Sequence, residues 1–97
     1  MYIVVSRWEA LPGKSDEFEA VGKKMRSTLG AISGVSLMEA FQSENGTIMV
    51  VVGYDSLQDY DRLVNDPNGP FAKAAEENQL DSVGRWISSD RGEAIHP

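Results

Sequence analysis

The chain has 97 residues, no cysteine and a formal net charge of −6, from 15 acidic and 9 basic side chains. These numbers exclude a disulfide framework or a thiolate metal site and disfavour broad binding to a nucleic-acid backbone, which such a charge repels at long range. They also allow a single domain with a thin core, since a chain of this size buries roughly 60–65 % of the surface its unfolded form exposes, so help from a partner subunit is expected.

Residues 2–9, "YIVVSRWE", read as a strand that places Tyr2, Val4, Ser6 and Trp8 on one side and Ile3, Val5, Arg7 and Glu9 on the other. The stretch lacks a charged segment followed by a longer apolar run, so no signal peptide is expected and the protein is read as cytoplasmic. "LPGK" (11–14) signals a turn. Ser15 is placed at the N-cap of a helix, with Asp16 and Glu17 where the helix dipole favours acids. Phe18, Val21, Met25, Leu29 and Ile32, at spacings of 3, 4, 4 and 3, form its apolar stripe.

Gly30 and Gly34 punctuate the exit. Residues 35–43 and 47–55 read as two strands joined through Asn45-Gly46, a strong hairpin signal. "IMVVV" (48–52) is far too short to span a membrane. "SLQD" (56–59) fits a capping box opening a second helix, whose apolar stripe is Leu57, Tyr60, Leu63 and Val64. Asp66-Pro67 stops that helix, "PNGP" turns the chain, and Pro70 opens a third helix carrying Phe71, Ala74 and Ala75. Residues 82–88 read as the last strand and 89–97 as a C-terminal tail without pattern.

The order β-α-β-β-α-(α)-β gives an α+β class: a ferredoxin-like split βαβ with a four-stranded antiparallel sheet. Residues 1–88 form the single domain. Ile3, Val5, Met38, Ala40, Met49 and Val51 are placed on one face of the sheet, and Leu37, Ile48, Val50 and Val52 on the other. Both faces are therefore apolar, although helices cover only one. The expectation is a homodimer packed through the uncovered sheet face.

With "LPGKSDEFE", "VVGYDSLQDYDRL" and "DPNGPFAKAAEE" in this order, the chain resembles the dimeric α/β-barrel superfamily, in particular antibiotic-biosynthesis-monooxygenase-like (ABM-like) domains, over residues 1 to about 88. The superfamily includes haem-degrading monooxygenases, cofactor-independent quinone-forming monooxygenases, isomerases and members without known activity. The haem-degrading members carry an Asn, a Trp and a His where this chain has Ser6, Arg62 and Glu76. The only histidine, His96, lies beyond the resemblance. Haem is thus not expected, and neither is any other cofactor or metal.

The resemblance implies a cleft between helices and sheet, faced by the side of the first strand that holds Ser6 and Trp8. Tyr54, Tyr60, Phe71, Arg85 and Trp86 complete the ligand-binding candidates, because aromatic walls with a few polar groups suit a small apolar ligand. Trp8 and Trp86 equally suit the core or an interface, and Arg85 equally suits an ion pair with Glu9 or Glu39. Two functional readings follow. One is a cofactor-independent monooxygenase acting on an aromatic or polyketide-like small molecule. The other is a non-catalytic dimeric module that binds a small ligand or serves another protein. A cleft filled by Trp8, Tyr54 and Phe71 would favour the second.

Overall fold

The alternating apolar residues of the first strand place it at the centre of the sheet in the computed structural model, which describes residues 1–96. Strand β1 (Tyr2–Ala10) is followed by helix α1 (Ser15–Gly30), β2 (Val35–Gln42), β3 (Ile48–Tyr54), a short helix α2 (Leu57–Tyr60), α3 (Pro70–Glu77) and β4 (Gly84–Glu93). The strands lie in the order β2-β3-β1-β4 and all pairings are antiparallel. This is the ferredoxin-like βαββαβ arrangement, with every helix packed on one face of the sheet.

Local chemistry explains most boundaries. The Ser56 hydroxyl accepts the Asp59 backbone N–H at 3.1 Å and donates to the Asp59 carboxylate at 2.9 Å, closing the cap of α2. After Tyr60 the chain widens into a π-helical turn, Asp61–Asn65. The Asp66 N–H reaches back to the Asp61 carbonyl at 3.0 Å. Asp66 itself is extended, as a residue before proline prefers. Ser15 is the first helical residue of α1 rather than its cap, and Lys14 holds the cap position without a side-chain bond. The helix start is tied instead by the backbone, Phe18 N–H to the Lys14 carbonyl at 2.8 Å. Gly46, at φ +94°, supplies the left-handed backbone that the β2–β3 turn requires.

Two further expectations are corrected. The first concerns the phase of β2. Met38 pairs with Val52 and Ala40 with Val50, so both lie on the helix-covered face, while Leu37 pairs with Gly53 and lies on the open one. The β2–β3 register, offset by an irregularity between Val35 and Leu37, decides this, and residue parity alone does not. The second concerns the tail. β4 continues to Glu93, and Ser89 to Glu93 pair with Ser6 to Tyr2. These polar residues form a strand because β1 offers them backbone partners, a constraint invisible in side-chain periodicity. Pro97, also assigned to the tail, lies outside the described residues.

The helix-covered face carries a core in two parts. Tyr2, Val4, Val52, Tyr54, Tyr60 and Leu63 form one cluster, with Leu63 only 2 % exposed. Phe18, Met25, Ala74 and Leu80 form the other. Gly84 is required at the second cluster: a Cβ there would collide with the Phe18 ring. The open face presents Ile3, Val5, Leu37, Met49 and Val51 among Arg7, Glu9 and Glu39.

Candidate functional site

Both parts of the core contribute walls to a cavity of about 710 Å³ between the helices and the sheet. Its floor comes from the side of β1 that carries Val4, Ser6 and Trp8, because strand alternation sends these residues to the helix face. α1 contributes Phe18, Met25 and Leu29 from its apolar stripe. The π-helical turn contributes Leu63 and Val64. The cavity reaches solvent beside Trp86, which is 54 % exposed.

Six of the seven residues singled out in the sequence, Ser6, Trp8, Tyr54, Tyr60, Phe71 and Trp86, line this one cavity. Arg85 does not. It is the register partner of Glu9 and forms an ion pair with that carboxylate on the opposite side of the sheet. Its placement follows from alternation along β4, since its neighbour Trp86 takes the cavity side.

Glu19 and Arg26 of α1 and Gln42 of β2 also border the cavity, and two further sets of polar groups lie on the sheet side. At one end Tyr54 and Tyr60 meet edge-on with centroids 5.4 Å apart, and Tyr2 packs on Tyr60 at the same separation. Burial, and next the neighbouring Tyr60, push the Tyr54 hydroxyl up to about 12. It is therefore a neutral hydrogen-bonding group at ordinary pH and a poor proton acceptor. The Arg91 guanidinium lies 5.6 Å from the Tyr60 ring centroid. Interaction with Tyr2 and then with Tyr60 holds it further above its already high range, so it stays a cation. Among the described residues no carboxylate stands within ion-pair distance of Arg91. Sequence reading missed this residue because it fell in the stretch assigned to the tail.

Further along the floor, the Trp8 indole N–H donates to the Ser6 hydroxyl at 2.9 Å, and the Trp86 indole N–H donates to the Ser89 hydroxyl at 2.9 Å. Ser89 was likewise hidden in the tail. No group of three or more His, Cys, Asp or Glu side chains suited to a metal occurs among the described residues. Glu76 is exposed on α3 and does not line the cavity, and Arg62 is tied to Asp59 at 2.9 Å and to the Ser33 carbonyl at 3.2 Å. Among the described residues no helix is long and apolar enough to cross a membrane.

Comparisons with known proteins agree with this architecture. SnoaB, described as a cofactor-independent oxygenase from Streptomyces nogalater, superposes with a TM-score of 0.75 at 15 % identity, over 99 % of this chain and 94 % of that one. Rv0793 from Mycobacterium tuberculosis gives 0.78 at 15 % identity, over 99 % and 96 %. NE2512, a protein of unknown function from Nitrosomonas europaea, gives 0.69 at 17 % identity, over 99 % and 92 %. At such identities the likeness establishes the fold alone. No curated protein sequence matches significantly. The family model described as antibiotic biosynthesis monooxygenase matches residues 1–68, the greater part of the sequence, and the chain belongs to that family.

Proposed function

We propose that the chain is a cofactor-independent monooxygenase that oxidises a phenolic, aromatic or polyketide-like small molecule to a quinone. The observation that carries this reading is the cavity itself: about 710 Å³ of mainly apolar wall, left unfilled by Trp8, Tyr54 and Phe71, with an Arg91 cation and a few hydroxyls at defined points. Family membership and the likeness to SnoaB support it.

The chemistry needs only the substrate and dioxygen. A phenol loses its proton, and the phenolate transfers one electron to O2. The resulting radical pair joins at a ring carbon to give a hydroperoxide. Loss of the hydrogen on that carbon and cleavage of the O–O bond release water and leave the quinone. The substrate supplies all four electrons, and one oxygen atom of O2 ends in the product and the other in water. The chain's task is to bind the ring in the apolar cavity and to stabilise the anion. Arg91 and the tyrosine hydroxyls at one end, the serines along the floor and Arg26 from α1 are the groups available for it.

One observation favours the second reading, a binding module. The Tyr54 hydroxyl, raised to about 12, is no base, and no histidine is among the described residues that line the cavity. Oxygen-electrode assays with a panel of hydroxyanthrones and hydroxynaphthalenes separate the two. An enzyme consumes one O2 per quinone formed, whereas a binding module binds the same compounds without oxygen uptake.

We further propose that a second copy of the chain covers the open sheet face, burying Ile3, Val5, Leu37, Met49 and Val51. The support is the apolar character of that face and the thin core of a lone subunit. Native mass spectrometry checks it: twice the chain mass is expected, and a stable monomer rejects it.

A further inference from the structure

Ser6 and Ser89 are register partners across β1 and β4, and both line the cavity. Each hydroxyl accepts an indole N–H, Trp8 to Ser6 and Trp86 to Ser89, both at 2.9 Å. A hydroxyl offers one O–H donor and two acceptor lone pairs, while an indole can only donate. Each indole therefore consumes acceptor capacity and leaves the serine proton uncommitted. Among the described residues neither hydroxyl donates to another protein atom. Two uncommitted O–H groups thus stand side by side on the floor of a mainly apolar cavity.

The spacing suits a single acceptor. Directly opposed residues in an antiparallel pair have Cβ atoms about 4.5–5.5 Å apart. An oxyanion accepting from both hydroxyls at about 2.6 Å each spans that gap. A neutral phenol placed there keeps its own proton and accepts less strongly, so the pair discriminates by charge.

We propose that Ser6 and Ser89 form a paired-hydroxyl cradle for one ligand oxyanion, which makes the ligand a phenolate, and that Trp8 and Trp86 are positioning residues that aim the two hydroxyls. The inference rests on the proposed binding of phenolic compounds in this cavity and specifies which form is bound and where its oxygen lies. It assigns the two tryptophans a part that apolar packing alone does not require, since a phenylalanine would pack without the N–H.

The test uses the full-length protein with 4-nitro-1-naphthol, whose absorbance reports its ionisation, and with its methyl ether, which cannot ionise. The chain's only two tryptophans both line the cavity, so quenching of their fluorescence reports occupancy. The expected result is preferential binding of the anion, seen as a bound-state pKa about one unit below that of the free probe, equivalent to roughly tenfold tighter binding of the anion. The Ser6→Ala/Ser89→Ala variant loses this downward shift but still quenches with the methyl ether, which shows that the cavity is intact. Ser89→Thr, which keeps a hydroxyl, retains the shift. Trp86→Phe, with Trp8 as reporter, loses part of it.

Three results overturn the cradle. If the probe quenches fluorescence but its pKa is unchanged or raised on binding, the cradle falls while the aromatic cavity stands. If the shift persists in the double serine variant and disappears only in Arg91→Ala, the oxyanion sits at the tyrosine end and the cradle is wrong. If neither probe nor ether binds, the cradle and the ligand-binding reading fall together.

Discussion

The two halves of the core that bound the cavity are built differently. The tyrosine half holds six buried residues, while the other holds four and leaves its rings Trp8 and Phe71 only half-buried. In the first half Tyr2 and Tyr54 each pack against Tyr60 at 5.4 Å, and the π-helical turn adds the buried Leu63 to the same cluster. In the second, Trp8 and Phe18 approach only to 6.5 Å, and ring surface stays available to the cavity. The contrast separates two uses of aromatic residues on one sheet face. The tyrosine half secures the subunit and presents hydroxyls and Arg91 at its margin. The tryptophan half forgoes some packing and offers wall area to a ligand.

Single truncations test this division, and the largest effect is expected in the first half. Leu63→Ala removes the most buried large side chain among the described residues and should lower stability by about 2–4 kcal/mol. Phe71→Ala removes a larger side chain that already borders empty space. Its cost should be roughly 1–2 kcal/mol, less than for a fully packed phenylalanine. Urea unfolding at one fixed protein concentration compares the two directly. Equal losses, or a greater loss at Phe71, would break the comparison and make the cavity wall structural.

A smaller effect, confined to alkaline pH, sharpens the description of the tyrosine half. Burial raises the Tyr54 hydroxyl from 10.0 to about 12. The unfolded chain then gives up this proton at a lower pH than the folded one. Between these two values the unfolded state holds fewer protons, so stability falls as pH rises. The contribution is complete below pH 10 and spent above about 12. Tyr54→Phe, which cannot ionise, should flatten the stability profile across that window relative to the parent. An unchanged slope would mean that the hydroxyl is better solvated than its burial indicates.

The same contrast shows what was legible in the sequence. Element order and the helix-facing side of β1 follow from local patterns: alternation over residues 2–9, the stripe from Phe18 to Leu29, the Ser56 cap and the Asn45-Gly46 turn. Six cavity residues were therefore identifiable, because an aromatic on a covered strand or helix face has few other places to go. Two features were not legible, and both depend on strand pairing. The face of β2 is set by its register against β3, so Met38 and Leu37 were assigned to each other's sides. The polar end of β4 has no periodicity of its own, and only β1 makes it a strand. That second failure concealed Ser89 and Arg91, two of the cavity's few polar groups.

The smallest effect expected bears on that same strand. Arg85 and Arg91 both belong to β4 but serve opposite faces of the sheet. Arg85 meets Glu9 on the outer side, and both side chains remain substantially exposed. An exposed pair of this kind is worth a few tenths of a kcal/mol, so Arg85→Ala should barely move the unfolding midpoint. It should also leave the affinity for 4-nitro-1-naphthol at the parent value. Arg91→Ala, which removes a cation from the cavity margin away from the cradle, should weaken binding of the anion by about twofold and leave the methyl ether unaffected. Comparable losses from the two variants would mean that the β1–β4 irregularity, which alone puts residues 85 and 91 on opposite faces despite their even spacing, is absent and that Arg85 reaches the ligand. A loss confined to Arg91→Ala fixes the strand's phase from solution data, through two like-charged residues of one strand that the sheet divides.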